Sequence, residues 1–385
     1  MRPRYAVSRL ASVFVAALVV TAAGCSSLNP FSSSAPKPAE LVSFQPSVNL
    51  EPLWQARAGK SAGYAFVPAV VGENVYAAGH DGTVYGFRNG ATLWSTNVGA
   101  RLSAGVGSDG RLAVVVTTGG EVVALDAQSG AERWRAPVGA EVLAAPVVGT
   151  AAVVVRASDS RLIGFAPADG NQRWVYQRST PALALRSVSG IALEETVAVV
   201  GYPGGKIAAI NTENGGPLWE LTVAIPRGVT ELERVADVVG TPVLGRREVC
   251  AVTFQGRIAC FDLSNGSTVW ARDFSSSTGM DRDTRFVVVT DDRDAVHGLD
   301  AFSGASVWKQ DAMPRRALTR PLIVGDYVVV GDLEGYVHVL DRERGSFAAR
   351  ARTDSSAIMV PPQRMGTRAF VVQTRDGGVH VFEPK

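Results

Sequence analysis

The sequence predicts an all-β protein, an eight-bladed β-propeller of four-stranded antiparallel blades. The first observation is a regular series that contains every tryptophan of the chain: Trp54, Trp94, Trp134, Trp174, Trp219, Trp270 and Trp308. Phe347 continues the series, so that eight aromatic positions follow one another about every 40 residues. Such a period indicates a repeat architecture whose units bury their apolar faces against one another.

The second observation is the segment that precedes each aromatic position. Residues 120–130, 256–266 and 335–345 each run a short apolar strand into a glycine-containing turn. Pairs such as Gly119-Gly120 suit tight hairpins, because glycine tolerates positive φ. Four short strands fit into about 40 residues, and eight such units in a ring form a propeller. One aromatic residue per unit is expected to pack between neighbouring blades.

The third observation is that the two ends of the repeat region complement each other. Residues 52–55 form an aromatic strand with no partner strands before it, and residues 379–382 form a last strand with no aromatic strand after it. We therefore expect the N-terminal strand to complete the last blade. Closing the ring in this way removes the strand edges that an open array would expose.

The first 24 residues are predicted to be a lipoprotein signal peptide. Three arginines precede an apolar stretch at residues 11–20, which is too short for a permanent membrane-spanning helix. The small residues before Cys25 resemble a bacterial lipobox, although Ala22 stands where leucine is usual. This resemblance implies lipidation of Cys25, and Ser26 after it implies sorting to the periplasmic face of the outer membrane. A plain signal peptide with an unmodified cysteine is the alternative.

Residues 25–50 are predicted to form a flexible tether, because they are rich in Ser, Pro and Ala and lack the apolar content of a folded domain. Residues 51–385 are predicted to form the propeller as one domain, since a closed ring has no natural internal boundary. Without the three arginines of the signal peptide, the net charge of +2 becomes about −1. A nearly neutral chain lacks the clearly basic face that nucleic-acid binding requires.

The two remaining cysteines, Cys250 and Cys260, flank a turn and lie on paired strands of one predicted hairpin. An oxidising periplasm permits a disulfide between them. Two buried free thiols that fill small core positions are the alternative, and the cross-strand register decides between them.

Three histidines, His297, His338 and His380, occupy the same strand position in successive repeats. Equivalent positions on neighbouring blades lie a blade width apart, whereas zinc needs several ligands at about 2 Å. We therefore expect packing positions and no metal site. The chain carries none of the nucleophile, zinc-protease, phosphate-loop or calcium-loop motifs, so we predict no catalytic residues and no cofactor.

The regular repeat is broken at two places, where the tryptophan interval lengthens from 40 to 45 and then to 51 residues. The additional residues fall at 178–190 and 223–240, in adjacent repeats. Insertions in repeat arrays map to loops on one face, which is often the binding face. In the second insertion, Thr230 is followed three residues later by Glu233, which predicts a capped short helix. Apolar and arginine side chains beside acids fit a protein interface; loops that only pack on each other are the alternative.

The lipobox, the tether, the eight repeats and the two insertions together resemble the BamB family, lipoproteins of the outer membrane β-barrel assembly machinery. The matching positions of the two insertions are Pro181, Leu183, Leu185 and Arg186 in the first and Thr230, Glu231, Arg234 and Asp237 in the second. The resemblance implies that these loops contact the periplasmic repeats of BamA, the barrel-inserting subunit. Val239 departs from the family pattern, in which a further acid is common.

The resemblance implies a non-enzymatic scaffold that is lipid-anchored to the outer membrane and docks BamA and other members of its complex, with unfolded outer membrane proteins as clients. The partner-binding residues that it implies are Leu183, Leu185, Arg186, Glu231, Arg234 and Asp237. One alternative is a pyrroloquinoline-quinone-dependent periplasmic oxidoreductase, although the adjacent cysteine pair of many such enzymes is missing here. The other is a periplasmic propeller that binds a ligand in its central channel.

Overall fold

The computed structural model describes residues 37–179, 181, 183–186 and 189–385. Cys25 and the predicted signal peptide lie outside these residues. Ala39–Lys385 form a compact unit, and the regular elements of the described chain are β-strands. The described residues contain no helix that is long and apolar enough to cross a membrane.

The first four blades follow one another along the chain, and each consists of four consecutive antiparallel strands. Blade 1 contains β2 (Ala69–Val71), β3 (Asn74–Ala78), β4 (Thr83–Arg88) and β5 (Ala91–Asn97). Blade 2 contains β6 (Gly107–Ser108), β7 (Leu112–Val116), β8 (Glu121–Asp126) and β9 (Glu132–Pro137). Blade 3 contains β10 (Val147–Val148), β11 (Val153–Arg156), β12 (Leu162–Phe165) and β13 (Gln172–Tyr176). Blade 4 contains β14 (Ile191–Glu194), β15 (Val197–Tyr202), β16 (Lys206–Asn211) and β17 (Pro217–Thr222).

The remaining blades repeat this order, and the last one takes its fourth strand from the N-terminal part of the ring. Blade 5 contains β18 (Val238–Leu244), β19 (Glu248–Thr253), β20 (Gly256–Asp262) and β21 (Thr268–Phe274). Blade 6 contains β22 (Met280–Arg282), β23 (Phe286–Thr290), β24 (Val296–Asp300) and β25 (Ser306–Gln310). Blade 7 contains β26 (Leu322–Val324), β27 (Tyr327–Gly331), β28 (Tyr336–Asp341) and β29 (Phe347–Arg352). Blade 8 contains β30 (Gln363–Met365), β31 (Ala369–Gln373), β32 (Gly378–Phe382) and β1 (Pro52–Arg57).

The ring is closed by antiparallel pairing of β1 with β32, in which Trp54 lies opposite Val381 and Arg57 opposite Gly378. The predicted fold class, blade number and mode of closure are therefore confirmed. The apolar cores lie between adjacent blades: one cluster joins Val114 and Val116 of blade 2 to Val153 and Val155 of blade 3.

Tryptophan side chains fasten several of the blades to the blade that follows. In the described chain, five indole Nε1–H groups donate to a carbonyl oxygen of the following repeat at 2.8–2.9 Å: Trp94 to Ala127, Trp134 to Pro167, Trp174 to Thr212, Trp270 to Ala301 and Trp308 to Arg342. The next blade also brings a positive-φ glycine onto the ring, as Gly130 does on Trp94. The tryptophans pack between blades, as predicted.

Strand direction gives the ring two distinct faces. Because the four strands of a blade alternate in direction, the turn between the second and third strands emerges on the same face as the connection to the next blade. We call this the loop face. The turns between the first and second strands and between the third and fourth strands emerge on the opposite face. The first strand of each blade is the innermost, since Ala69, Val147 and Ile191 line the central channel.

The predicted tether is shorter than expected. Residues 39–50, which we call the strap, lie against blade 7 as part of the compact unit. The ring of Phe44 stacks on Phe347 with centroids 5.1 Å apart, and the carbonyl of Ala348 accepts a hydrogen bond of 2.9 Å from the amide of Ser47. The predicted boundary at residue 51 was wrong, because one aromatic ring and backbone pairing hold a segment whose composition resembles a linker.

Candidate functional site

Both insertions form connections between blades. Loop A, residues 177–190, joins β13 of blade 3 to β14 of blade 4, and loop B, residues 223–237, joins β17 of blade 4 to β18 of blade 5. Connections of this kind emerge on the loop face, so the two insertions lie on the same side of the ring, as predicted. Residues 180, 182, 187 and 188 of loop A lie outside the described chain.

Asp237 ties loop A to loop B. Its carboxylate accepts a hydrogen bond of 2.6 Å from the amide of Leu185 and another of 3.0 Å from the amide of Gly204. Asp237 is only 3% exposed. The prediction that Asp237 itself contacts a partner therefore needs correction: the side chain is enclosed, and it positions loop A.

Arg186 is the exposed charge of loop A. Its guanidinium forms an ion pair of 2.6 Å with Glu141, which belongs to the connection between blades 2 and 3. The arginine side chain remains largely accessible, at 70% exposure. An exposed pair of this kind contributes about 0–1 kcal/mol. Glu141 therefore orients Arg186 and leaves its side chain accessible to solvent and to a partner.

A half-buried arginine, Arg156, supports loop A. The Arg156 guanidinium donates to the carbonyl of Ser189 at 3.0 Å and lies 5.6 Å above the ring of Tyr202. Burial lowers the pKa of Arg156, and the negative charge of Asp237 acts in the opposite direction. Sequence reasoning missed this residue. The sequence feature that could have identified it is an arginine near the end of the second strand of a blade, where the equivalent positions of other blades hold Ala78, Val116, Gly201 and Val252.

Loop B contains a single turn where a short helix was predicted. Thr230 and Glu233 do form the reciprocal capping contacts: the Thr230 amide donates to the Glu233 carboxylate at 3.0 Å, and the Glu233 amide donates to the Thr230 hydroxyl at 3.3 Å. The amides of Thr230 and Val229 lower the pKa of Glu233. The prediction of a helix was wrong: the turn covers residues 231–234, and β18 begins four residues later at Val238.

Exposed apolar side chains surround the charged ones on both loops. Leu183 and Leu185 of loop A are 40% and 36% exposed. In loop B, Ile225, Val229 and Leu232 are 68%, 89% and 72% exposed. Sequence reasoning missed these three, although large apolar residues within an inserted segment that belongs to no strand are a usable signal.

We define the docking surface as eight of the exposed residues of the two loops. Its members are Leu183, Leu185, Arg186, Ile225, Val229, Glu231, Leu232 and Arg234. Glu231 and Arg234 pair with each other at 3.3 Å on the exposed side of loop B. An apolar surface that carries an arginine and a charged rim is chemically suited to bind another polypeptide.

Comparison with known proteins identifies the family. The family model described as "Outer membrane protein assembly factor BamB" matches residues 80–310 and 296–385. The chain belongs to the BamB family. The relative from Bordetella pertussis is 44% identical over 346 residues, covering 89% of each chain, and the relative from Burkholderia pseudomallei is 40% identical over 378 residues, covering 97% of this chain and 98% of its own. The solved structure of BamB from Moraxella catarrhalis has a TM-score of 0.80 at 27% identity and covers 87% of this chain and 100% of that chain.

The relatives are named as assembly factors rather than as enzymes. The prediction of a non-enzymatic protein is confirmed at the level of the BamB family.

The cysteine pair of this BamB-family chain is a disulfide. Cys250 and Cys260 lie directly opposite each other on β19 and β20, with their Cα atoms 4.1 Å apart. Both residues are buried. The cross-strand register, which the sequence left open, therefore allows the disulfide. The bond links the two strands of the blade 5 hairpin at the position where Cys260 pairs with Trp270.

The histidine column forms part of the packing between strands. His338 is fully buried and lies 2.9 Å from the carboxylate of Asp332, and the guanidinium of Arg350 donates to its other ring nitrogen at 3.1 Å. Burial lowers the pKa of His338. In the part of the chain that the structure describes, no group of three or more histidine, cysteine or acidic side chains is arranged to hold a metal ion.

The central channel is a second concave feature of the BamB-family ring, with a volume of ≈ 1050 Å³. Its wall contains Arg186, Arg320, Arg375 and Asp294. Both oxygens of the Asp294 carboxylate accept backbone hydrogen bonds, from Ala317 and Leu318. These contacts give Asp294 a structural role in the connection between blades 6 and 7.

Proposed function

We propose that this protein is a non-enzymatic scaffold of outer membrane protein assembly that docks a partner subunit through its loop face. The observation that carries the proposal is the hydrogen bond between Asp237 and Leu185, which ties the two insertions together at one side of the ring. The names of the relatives, which are outer membrane protein assembly factors, support the same role.

The chemistry of the docking surface suits a folded polypeptide partner. Leu183 and Leu185 protrude from loop A, whose backbone is hydrogen-bonded to Asp237 and Arg156. Little conformational entropy is therefore lost when the two leucines bind a partner. Full burial of one such side chain contributes about 1.5–3 kcal/mol. Arg186 can form paired hydrogen bonds with a carboxylate or with backbone carbonyls. The proposed partner is the BamA-type barrel-inserting subunit, through its periplasmic repeats.

The proposed location is the periplasmic face of the outer membrane, with lipid attached to Cys25. Several acyl chains give a stable anchor, because each buried CH₂ contributes about 0.8 kcal/mol. An anchored scaffold raises the local concentration of its partner at the membrane without any new contact. Other members of the complex would assemble around the same partner, and unfolded outer membrane proteins are the proposed clients.

The test is co-purification from the native envelope in mild detergent with Arg186→Glu and with the double variant Leu183→Asp/Leu185→Asp. We expect each to reduce recovery of the barrel-inserting subunit at least about tenfold, since a charge reversal or a buried carboxylate costs more than about 1.4 kcal/mol. Arg344→Glu is the matched control, because Arg344 is exposed in a turn on the opposite face. Full recovery with a folded Arg186→Glu protein would show that this surface does not dock the partner.

A further inference from the structure

The strap crosses blade 7 from one face of the ring to the other. At its first residue, the amide of Ala39 donates to the carbonyl of Pro314 at 3.1 Å, and the carbonyl of Ala39 accepts a hydrogen bond of 2.6 Å from Arg316. Pro314 and Arg316 belong to the connection between blades 6 and 7, which lies on the loop face. At the other end, Asn49 and Lys385 exchange backbone hydrogen bonds of 2.8 and 3.0 Å, beyond the end of β32 on the opposite face.

Blade 7 is the place where the tryptophan series is interrupted. Phe347 stands there instead, and Phe44 of the strap stacks on its ring. The guanidinium of Arg350 lies 5.0 Å from the centre of the Phe44 ring and 5.2 Å from that of Phe347. The strap therefore adds aromatic packing at the one aromatic position of the series that is not a tryptophan.

Two arginines hold the backbone of the strap. Arg350 donates to the carbonyl of Val42 at 3.0 Å, as Arg316 does to that of Ala39. Arg316 is 1% exposed and also donates to the carboxylate of Asp332 at 2.7 Å. Arg350 reaches the same carboxylate through His338. Hydrogen bonds from charged donors are stronger than neutral ones, so these two arginines hold a segment whose composition is that of a linker.

We propose that the strap fixes the point at which the membrane tether leaves the ring, so that the lipid anchor holds the loop face toward the membrane. The inference rests on the lipidation of Cys25 proposed above. Ala39 lies 14 positions after Cys25, a separation that spans at most about 50 Å. A tether that was free up to residue 51 would reach about 90 Å and would leave from the opposite face. The strap thus shortens the reach and selects the face that carries the docking surface.

The experiment uses the full lipidated chain in vesicles of phosphatidylethanolamine and phosphatidylglycerol. Because Cys250 and Cys260 are joined and Cys25 carries the lipid, Thr118→Cys on the loop face and Gln128→Cys on the opposite face of the same blade each supply one labelling site. Energy transfer to an acceptor on the lipid headgroups is expected to be at least about twofold more efficient from position 118. Equal transfer, or more efficient transfer from position 128, would overturn the inference.

A strap variant separates the inference from the proposed anchor. Phe44→Ser with Arg350→Ala is expected to lower the hydrogen-exchange protection of the Ser47 and Val48 amides at least about tenfold and to abolish the difference between the two labels. Phe302→Ser, an exposed phenylalanine on the opposite face, is the control. If the double variant fails to fold, Phe44→Ser alone is used. A difference in energy transfer between positions 118 and 128 that persists although the Ser47 and Val48 amides have lost their protection would contradict the inference. Failure of the unmodified protein to float with vesicles would refute the anchor, and with it the inference, while leaving the docking surface to its own test.

Discussion

The carboxylate of Asp237 receives the amide hydrogen of Leu185 at 2.6 Å, across 52 residues of sequence. This contact joins the two insertions that interrupt an otherwise regular ring. A buried carboxylate that accepts two backbone hydrogen bonds fixes the conformation of loop A without itself reaching the surface. Asp237 of loop B therefore determines how loop A presents its apolar and charged side chains.

Asp237→Asn is expected to loosen loop A. The amide of asparagine can accept only one of the two backbone hydrogen bonds, so that a donor is left unpaired in a buried site, at a cost of about 1–3 kcal/mol. We expect faster hydrogen exchange of the Leu185 amide and a partner affinity reduced about tenfold. Asp273→Asn, at an exposed position on an outer strand, is the control, and an unchanged affinity of Asp237→Asn would contradict the positioning role.

The ring could be predicted because its signals are local and repeated: one aromatic residue, one glycine turn and one apolar strand recur in each unit. The strap could not, because its partners Arg350 and Ala348 lie about 300 residues away and its own composition is that of a linker. The burial of Asp237 could not be predicted either, since its donors Leu185 and Gly204 belong to loop A and to the hairpin turn between β15 and β16. A motif identifies which residues matter, whereas long-range contacts decide how they act.

Gly164→Ala is expected to destabilise the ring. A Cβ at this position would lie 2.1 Å from Cε2 of Trp174, so that the indole, which donates to the carbonyl of Thr212, must shift. Overpacking of this kind costs about 1–3 kcal/mol, which urea unfolding followed by tryptophan fluorescence would detect. Gly119→Ala is the matched control, because a Cβ there meets its nearest neighbour at 3.6 Å. Equal stability of the two variants would argue against tight indole packing.

Reduction of the Cys250–Cys260 bond is expected to lower the free energy of unfolding without opening the ring. The bond closes a short loop, with a sequence separation of 10 residues, for which chain entropy gives about 2–3 kcal/mol. Thermal melts with and without a phosphine reductant would measure the loss, and the double variant Cys250→Ala/Cys260→Ala should lose its response to the reductant. Alkylation of both thiols in the unfolded, unreduced protein would contradict the disulfide.

The stability of the protein is expected to decline as the pH falls below about 6.5, the ordinary pKa of histidine. Burial lowers the pKa of His338 and of His380 in the folded protein. Between the ordinary and the lowered pKa, the unfolded chain binds protons that the native state excludes. The free energy of unfolding therefore decreases as the pH decreases through this range. Above the ordinary pKa neither state is protonated at these positions and the contribution is constant; below the lowered pKa the loss stops growing.

Protonation would also oppose the hydrogen bonds that His338 makes. Since Arg350 donates to Nδ1 of His338, Nε2 must carry the hydrogen that faces Asp332. A second proton on Nδ1 would point at the guanidinium of Arg350 and be repelled by it. Each excluded proton gives a slope of at most about 1.4 kcal/mol per pH unit. Urea unfolding at intervals between pH 5 and 8 measures it, above the range in which the aspartates with lowered pKa, such as Asp332, become protonated. The variants His338→Gln and His380→Gln should each flatten the decline; a slope as steep as that of the unmodified protein in both would place the titration elsewhere.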